Sequence, residues 1–80
     1  MVTIRLFGLF REYCGQPRLI VRVKTIREAL KYIQEMGVDR KLLRDALVFV
    51  NGKCLTGLRR FDRKLSDGDE VALLSPTTGG

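Results

Sequence analysis

Val2, Ile4 and Leu6 alternate with Thr3, Arg5 and Phe7 at the front of the chain. Alternation of period two sends successive side chains to opposite faces, so VTIRLFG is expected to form a half-buried strand. REYCGQP follows, closed by Gly15 and Pro17, and reads as a turn or short helical loop. RLIVRVK alternates again, with Leu19, Val21 and Val23 on one side and Ile20, Arg22 and Lys24 on the other. Two strands so close in sequence should pair as a hairpin with a longer loop.

The period then changes. Ile26, Ala29, Leu30 and Ile33 recur at helical spacing and give one apolar stripe. Thr25 and Glu28 form a T-x-x-E capping box ahead of it, and Gly37 supplies a left-handed C-terminal cap. A helix is predicted over Ile26 to Met36. VDRKLLRDA allows one short helical turn after Asp39. LVFVNGKCL reads as a strand, a tight Asn51-Gly52 turn and a short returning strand. TGLRRFDRK is a basic loop, LSDGDE a turn at Asp67-Gly68, and EVALLS a last strand.

The order is strand, strand, helix, strand, short strand, strand. One main helix covers one face of a sheet and leaves the other open, which makes a two-layer α+β domain. Residues 1–75 would form that domain and residues 76–80 a flexible Gly-Gly tail. With Ile4, Leu6, Val71 and Leu73 facing the helix, pleating turns Phe7 and Leu74 to the open side. If adjacent there, they would make a docking patch beside the tail.

Composition narrows the chemistry. At 80 residues the chain is a single domain, and its 45% hydrophobic content suffices for one core. No apolar run approaches the ~20 residues needed to span a bilayer. The N-terminal segment meets Arg5, Arg11 and Glu12 and has no small-residue cleavage site, so no signal peptide or membrane association is expected and the location is read as cytoplasmic. Cys14 and Cys54, forty positions apart, do not make a disulfide framework and are read as reduced thiols. The chain has no histidine, which removes the commonest general base, metal ligand and nucleophile partner together. No metal site and no permanently bound cofactor are expected.

The net charge of +6 favours acidic partners. Lys53, Arg59, Arg60, Arg63 and Lys64 form a basic run, but only Phe61 interrupts it. Single-stranded nucleic acid needs stacking aromatics among the cations, so nucleic-acid binding is the lesser reading.

The C-terminal LLSPTTGG raises a different possibility. Six extended residues from Ser75 span at most ~20 Å. Gly79 and Gly80, without Cβ atoms, make the thinnest peptide available for threading a narrow channel. Composition alone leaves a frayed end and a working tail both open.

With LSDGDEVALLSPTTGG at its end, this order of elements resembles the ubiquitin-like β-grasp sulfur carriers, the MoaD/ThiS family, and within it the small subunits of molybdopterin synthase. Leu65, Gly68, Asp69, Glu70, Val71, Pro76, Gly79 and Gly80 carry the C-terminal pattern. Phe7, Arg11-Glu12 and Gly15 match the family's opening. Ser75 stands where a first proline is common, Leu73 and Leu74 where aromatics are common, and the Val38–Ala46 segment is short.

The resemblance implies a β-grasp fold with a mixed four- to five-stranded sheet. It implies that a ubiquitin-activating-type adenylyltransferase uses ATP to adenylate the Gly80 carboxylate, and that a sulfur donor (a desulfurase) displaces AMP to leave a thiocarboxylate. Pro76, Thr77, Thr78 and Gly79 would thread the active site of the large synthase subunit, with Phe7 and Leu74 docking on it. Sulfur would pass to a pterin precursor of molybdenum or tungsten cofactor, with no catalysis by the small chain alone. The same resemblance leaves room for a thiamine-type sulfur carrier, which tends to be shorter and to lack the Arg11-Glu12 loop. It also leaves room for a ubiquitin-like modifier conjugated through Gly80.

Overall fold

The computed structural model describes residues 1–76; the expectations for Thr77, Thr78, Gly79 and Gly80 lie outside the described residues. The strands are β1 (Val2–Leu6), β2 (Arg18–Val21), β3 (Leu47–Val50), β4 (Lys53–Cys54) and β5 (Glu70–Leu74). The helices are α1 (Gly8–Cys14), α2 (Ile26–Glu35) and α3 (Arg40–Arg44), and a 3-10 turn spans Arg60–Asp62. Among the described residues no helix is long and apolar enough to cross a membrane.

The sheet runs β2-β1-β5-β3-β4. β1 and β2 form the expected antiparallel hairpin, with Val2 opposite Val21 and Ile4 opposite Leu19. β5 inserts between β1 and β3, parallel to the first and antiparallel to the second. The sheet is therefore mixed, and the last strand in sequence is its middle strand.

Alternation decides which face is buried. Val2, Ile4, Leu6, Val48, Val50, Val71 and Leu73 are each at most 2% exposed and pack under α2 through Ile26, Ala29, Leu30 and Ile33. Burial of such side chains contributes ~1.5–3 kcal/mol each, so this one seam supplies most of the driving force.

α2 begins as the capping box requires, with Thr25 Oγ1 accepting from the Glu28 N–H at 3.2 Å. The reciprocal half differs. The chain enters the helix extended, and Glu28 Oε1 accepts from the Lys24 N–H at 3.2 Å instead of from Thr25. The helix stops at Glu35, one residue short of the expected end. Met36 caps it, and Gly37 at φ +104° turns the chain away. α3 follows Asp39 as expected, whose carboxylate accepts from the Lys41 N–H at 2.8 Å.

The segment between β1 and β2 is more ordered than its sequence suggests. Of the turn or short helical loop expected there, the structure has the helical form, a helix over Gly8–Cys14 that starts earlier than expected, within the stretch assigned to the first strand. Phe10, fully buried, anchors it, and Gly15 at φ +70° ends it with its N–H on the Arg11 carbonyl at 2.9 Å.

Candidate functional site

The middle strand sets the site. Leu6 lies opposite Leu73, and the pairing continues one residue further, with the Phe7 N–H donating to the Leu73 carbonyl at 3.1 Å. On the other side Leu47 lies opposite Leu74. Pleating that buries Leu6, Leu73 and Val48 turns Phe7, Leu74 and Leu47 to the open face, so the three form one row across β1, β5 and β3. Phe7 is 38% exposed, Leu47 42%, and Leu74 is half-buried. The next row contains Arg5, Ala72, Phe49 and Cys54.

Phe7 and Leu74 are thus neighbours, and the patch they start is larger than the sequence suggested. Leu47 and Phe49 complete it. Their alternation with Val48 and Val50 was visible in LVFV, but only the strand order places them beside Leu74. Arg5 lies over the Phe7 ring at 5.7 Å and 3.8 Å from Glu70, giving the patch a charged margin.

Beyond Leu74 the chain leaves the sheet through half-buried Ser75 and exposed Pro76. Gly8 faces this exit. Its φ of +56° lets β1 turn at once into α1, and a Cβ there would stand 3.8 Å from Ser75 Cβ. Pro76 borders two shallow depressions. Leu9, Tyr13, Leu42 and Asp45 line one; Ala46, Leu47, Leu55 and Gly57 line part of the other. The α1 members of this surroundings, Leu9 and Tyr13, carried no signal in sequence.

The start of β5 is pinned by side chains. Asp69 Oδ2 accepts from the Ser66 N–H at 2.8 Å and Oδ1 from Asn51 Nδ2 at 3.0 Å. Asn51 Oδ1 in turn accepts from the Glu70 N–H at 2.9 Å. The Ser66 amide first, then Asn51 and the charge of Arg63, hold the Asp69 carboxyl below the usual carboxylate range. The Asp69 of the Gly-Asp-Glu motif is therefore a turn-locking group at the far end of the strand from Pro76.

The remaining candidates fall elsewhere. Burial pushes the Cys14 thiol up, which keeps it a protonated, poor nucleophile. Cys54 is exposed at the edge of the open face, opposite Phe49. In the basic loop, Arg60 donates to the Gly57 carbonyl at 2.9 Å and the Arg44 carbonyl at 3.2 Å, and its guanidinium covers the Phe61 ring at 4.4 Å. Phe61 itself packs on the core. The one aromatic of the basic run is occupied.

The sequence matches the ThiS family over residues 4–80. It is 35% identical, over 86 aligned positions covering 100% of both chains, to the molybdopterin synthase sulfur carrier subunit of Escherichia coli. It is 38% identical over 66 residues to the sulfur carrier protein ThiS of Thermus thermophilus, covering 82% of this chain and 92% of that one. Among solved structures, the complex of subunits 1 and 2 of molybdopterin-converting factor from Helicobacter pylori contains a chain of the same fold. It superposes with a TM-score of 0.71 at 23% identity, over 99% of this chain and 97% of that chain. The architecture is the β-grasp fold of ubiquitin-like proteins.

Proposed function

The chain belongs to the ThiS family, and from that premise we propose that it is the sulfur-carrying small subunit of a molybdopterin synthase. One observation carries the reading: the middle strand of the sheet, beside the open apolar row of Phe7, Leu74 and Leu47, leads directly into Pro76, four residues before Gly80 in the sequence. Such an arrangement anchors a partner on the sheet while the segment after Pro76 reaches into that partner's active site.

The chemistry resides in Gly80. A carboxylate is a poor electrophile, because its negative charge and resonance oppose attack at carbon. In the proposed sequence a Gly80 oxygen attacks the α-phosphorus of ATP within a ubiquitin-activating-type adenylyltransferase, and pyrophosphate leaves. The outer sulfur of a desulfurase persulfide then adds to the acyl carbon, and AMP departs as the C–O bond breaks. A thiol cleaves the S–S bond of the acyl persulfide, leaving as a disulfide with the desulfurase sulfur. The product is a thiocarboxylate, whose ionised, soft sulfur is a good nucleophile at neutral pH. That sulfur attacks a carbon of a pterin precursor in the large subunit, and water then hydrolyses the acyl–sulfur bond so formed, leaving the sulfur on the precursor and Gly80 as a carboxylate. Phe7 and Leu74 dock, Pro76, Thr77, Thr78 and Gly79 thread, and the domain needs no bound cofactor of its own, ATP being held by the activating enzyme.

Full-length similarity to the Escherichia coli subunit favours the pterin branch over the thiamine branch, since the Thermus thermophilus relative aligns with 82% of this chain. The Helicobacter pylori neighbour, solved with its second subunit, supports a large-subunit partner for this chain.

The test is direct. The purified chain is incubated with an adenylyltransferase of this type, ATP and a sulfur source, and its intact mass is read. Exchange of one oxygen for sulfur, confined by fragmentation to Gly80, is expected. Coupling the thiolated chain to a molybdopterin synthase large subunit, a thiazole synthase or protein lysines then separates the three branches. No exchange, where an established carrier is thiolated, refutes the proposal.

A further inference from the structure

The helical side of the molecule carries a second surface, apart from the open sheet. A groove of about 810 Å³ runs between α2 and α3. Arg27 and Lys31, four residues apart and so on one side of α2, form one wall. Arg40, Lys41 and Arg44 form the other, and the buried Leu30 and Leu43 lie at its base with Phe61.

The charge is one-sided. Five basic side chains meet a single acid, Asp39, and that carboxylate is engaged as the cap of α3. Among the described residues Arg27 is ion-paired, to Asp62 at 2.7 Å, and no salt bridge involves the other four. The acids of α2, Glu28 and Glu35, lie outside the groove lining. The four cations without an ion pair, Lys31, Arg40, Lys41 and Arg44, give the groove a net positive field, from which an anionic occupant gains.

We propose that this groove docks an acidic peptide segment of a partner protein. Two observations favour a peptide over nucleic acid. The base of the groove is apolar, with Leu30 and Leu43 beside Phe61, suited to an apolar side chain set among carboxylates. The one aromatic ring is covered by the Arg60 guanidinium at 4.4 Å, which leaves no platform for a base to stack on. The groove is also continuous with the exit of the C-terminal segment. Arg44 lines one of the depressions beside Pro76, and Asp39 and Lys41 line the other. An acidic segment seated here lies on the Pro76 side of the molecule while the sheet face stays free for a second protein. This surface does not depend on the sulfur-carrier role.

Amide chemical shifts of the full chain decide it. The probes are a synthetic glutamate-rich peptide with one central leucine, the same peptide with glutamine for glutamate, and an oligothymidylate. The acidic peptide is expected to shift amides of α2, α3 and the 3-10 turn while leaving Leu47 and Leu74 unmoved. The double variant Lys31→Glu with Arg40→Glu, both exposed positions, should weaken it at least ~tenfold, and added salt should weaken it progressively. Lys31→Gln with Arg40→Gln serves in place of the reversal if that variant loses its dispersed spectrum. Equal binding of the glutamine peptide, stronger binding of the oligonucleotide, shifts centred on the open sheet, or none at millimolar peptide would each overturn the proposal.

Discussion

Asn51 and Asp69, eighteen positions apart, clasp two turns of the sheet: Asn51 Nδ2 donates to Asp69 Oδ1 at 3.0 Å. Asn51 occupies the tight turn between β3 and β4 at φ +50°, and Asp69 closes the turn that launches β5. The pair fixes where the middle strand starts, and therefore which of its residues face the open side.

That clasp makes stability depend on acid. The folded-state pKa of Asp69 is depressed below the ordinary 3.8, so the unfolded chain binds the proton more readily. The stabilisation is full above the unfolded value and is lost as pH falls through the lower folded value. Urea midpoints for the wild type should drop as pH is lowered below about 4, more steeply than those of Asp69→Asn. Parallel curves for the two proteins would show that the contacts to Ser66 and Asn51 contribute nothing.

α1 is held by one side chain. Phe10 is fully buried, whereas Tyr13, one turn along, is 61% exposed. Phe10→Ala should cost ~3–5 kcal/mol by removing the ring and leaving a cavity. In a domain of this size that is a large share of total stability. Tyr13→Ala should stay within ~0.5 kcal/mol. Denaturant unfolding followed by circular dichroism measures both.

The contrast between α2 and α1 shows what the sequence could carry. α2 has ten residues, a stripe at helical spacing and a cap, and its limits were readable to within a residue. α1 has seven residues with one buried position, too few for a period to show, and its glycine start mimics the end of a strand. The open-face row was half legible for a related reason. Alternation gives the face of each residue, but the neighbour of Leu74 depends on β5 entering between β1 and β3, a long-range pairing that local pattern does not encode. The chemistry assigned to Gly80 came from a resemblance in the terminal motif, not from periodicity.

Gly79 should matter for chemistry and not for folding. Gly79→Val adds a branched side chain to the segment proposed to thread the partner, where a small displacement of the reacting group can cost ~100-fold in rate. Sulfur transfer from the thiolated variant to precursor in the large subunit should fall by about that factor, with thermal unfolding unchanged. Because the variant still ends in Gly80, intact mass after the activation reaction distinguishes a block in loading from a block in transfer. Normal transfer would remove Gly79 from the threading segment.

Leu47 offers the sharpest test of the open face, since it lies opposite Leu74 and lines a depression beside Pro76. At 42% exposure it contributes modestly to the core, and Leu47→Asp should destabilise the free protein by no more than ~1 kcal/mol. An apolar contact within a docking interface behaves differently, because the new carboxylate must be desolvated beside Leu74. Affinity for a molybdopterin synthase large subunit should fall at least ~tenfold, equivalent to ~1.4 kcal/mol. Leu58→Asp is the control, since Leu58 is 99% exposed and outside the row. Titration calorimetry on both variants separates the outcomes. A loss at Leu47 alone places the partner on this row, while equal, small effects at both would move the docking surface off the open sheet.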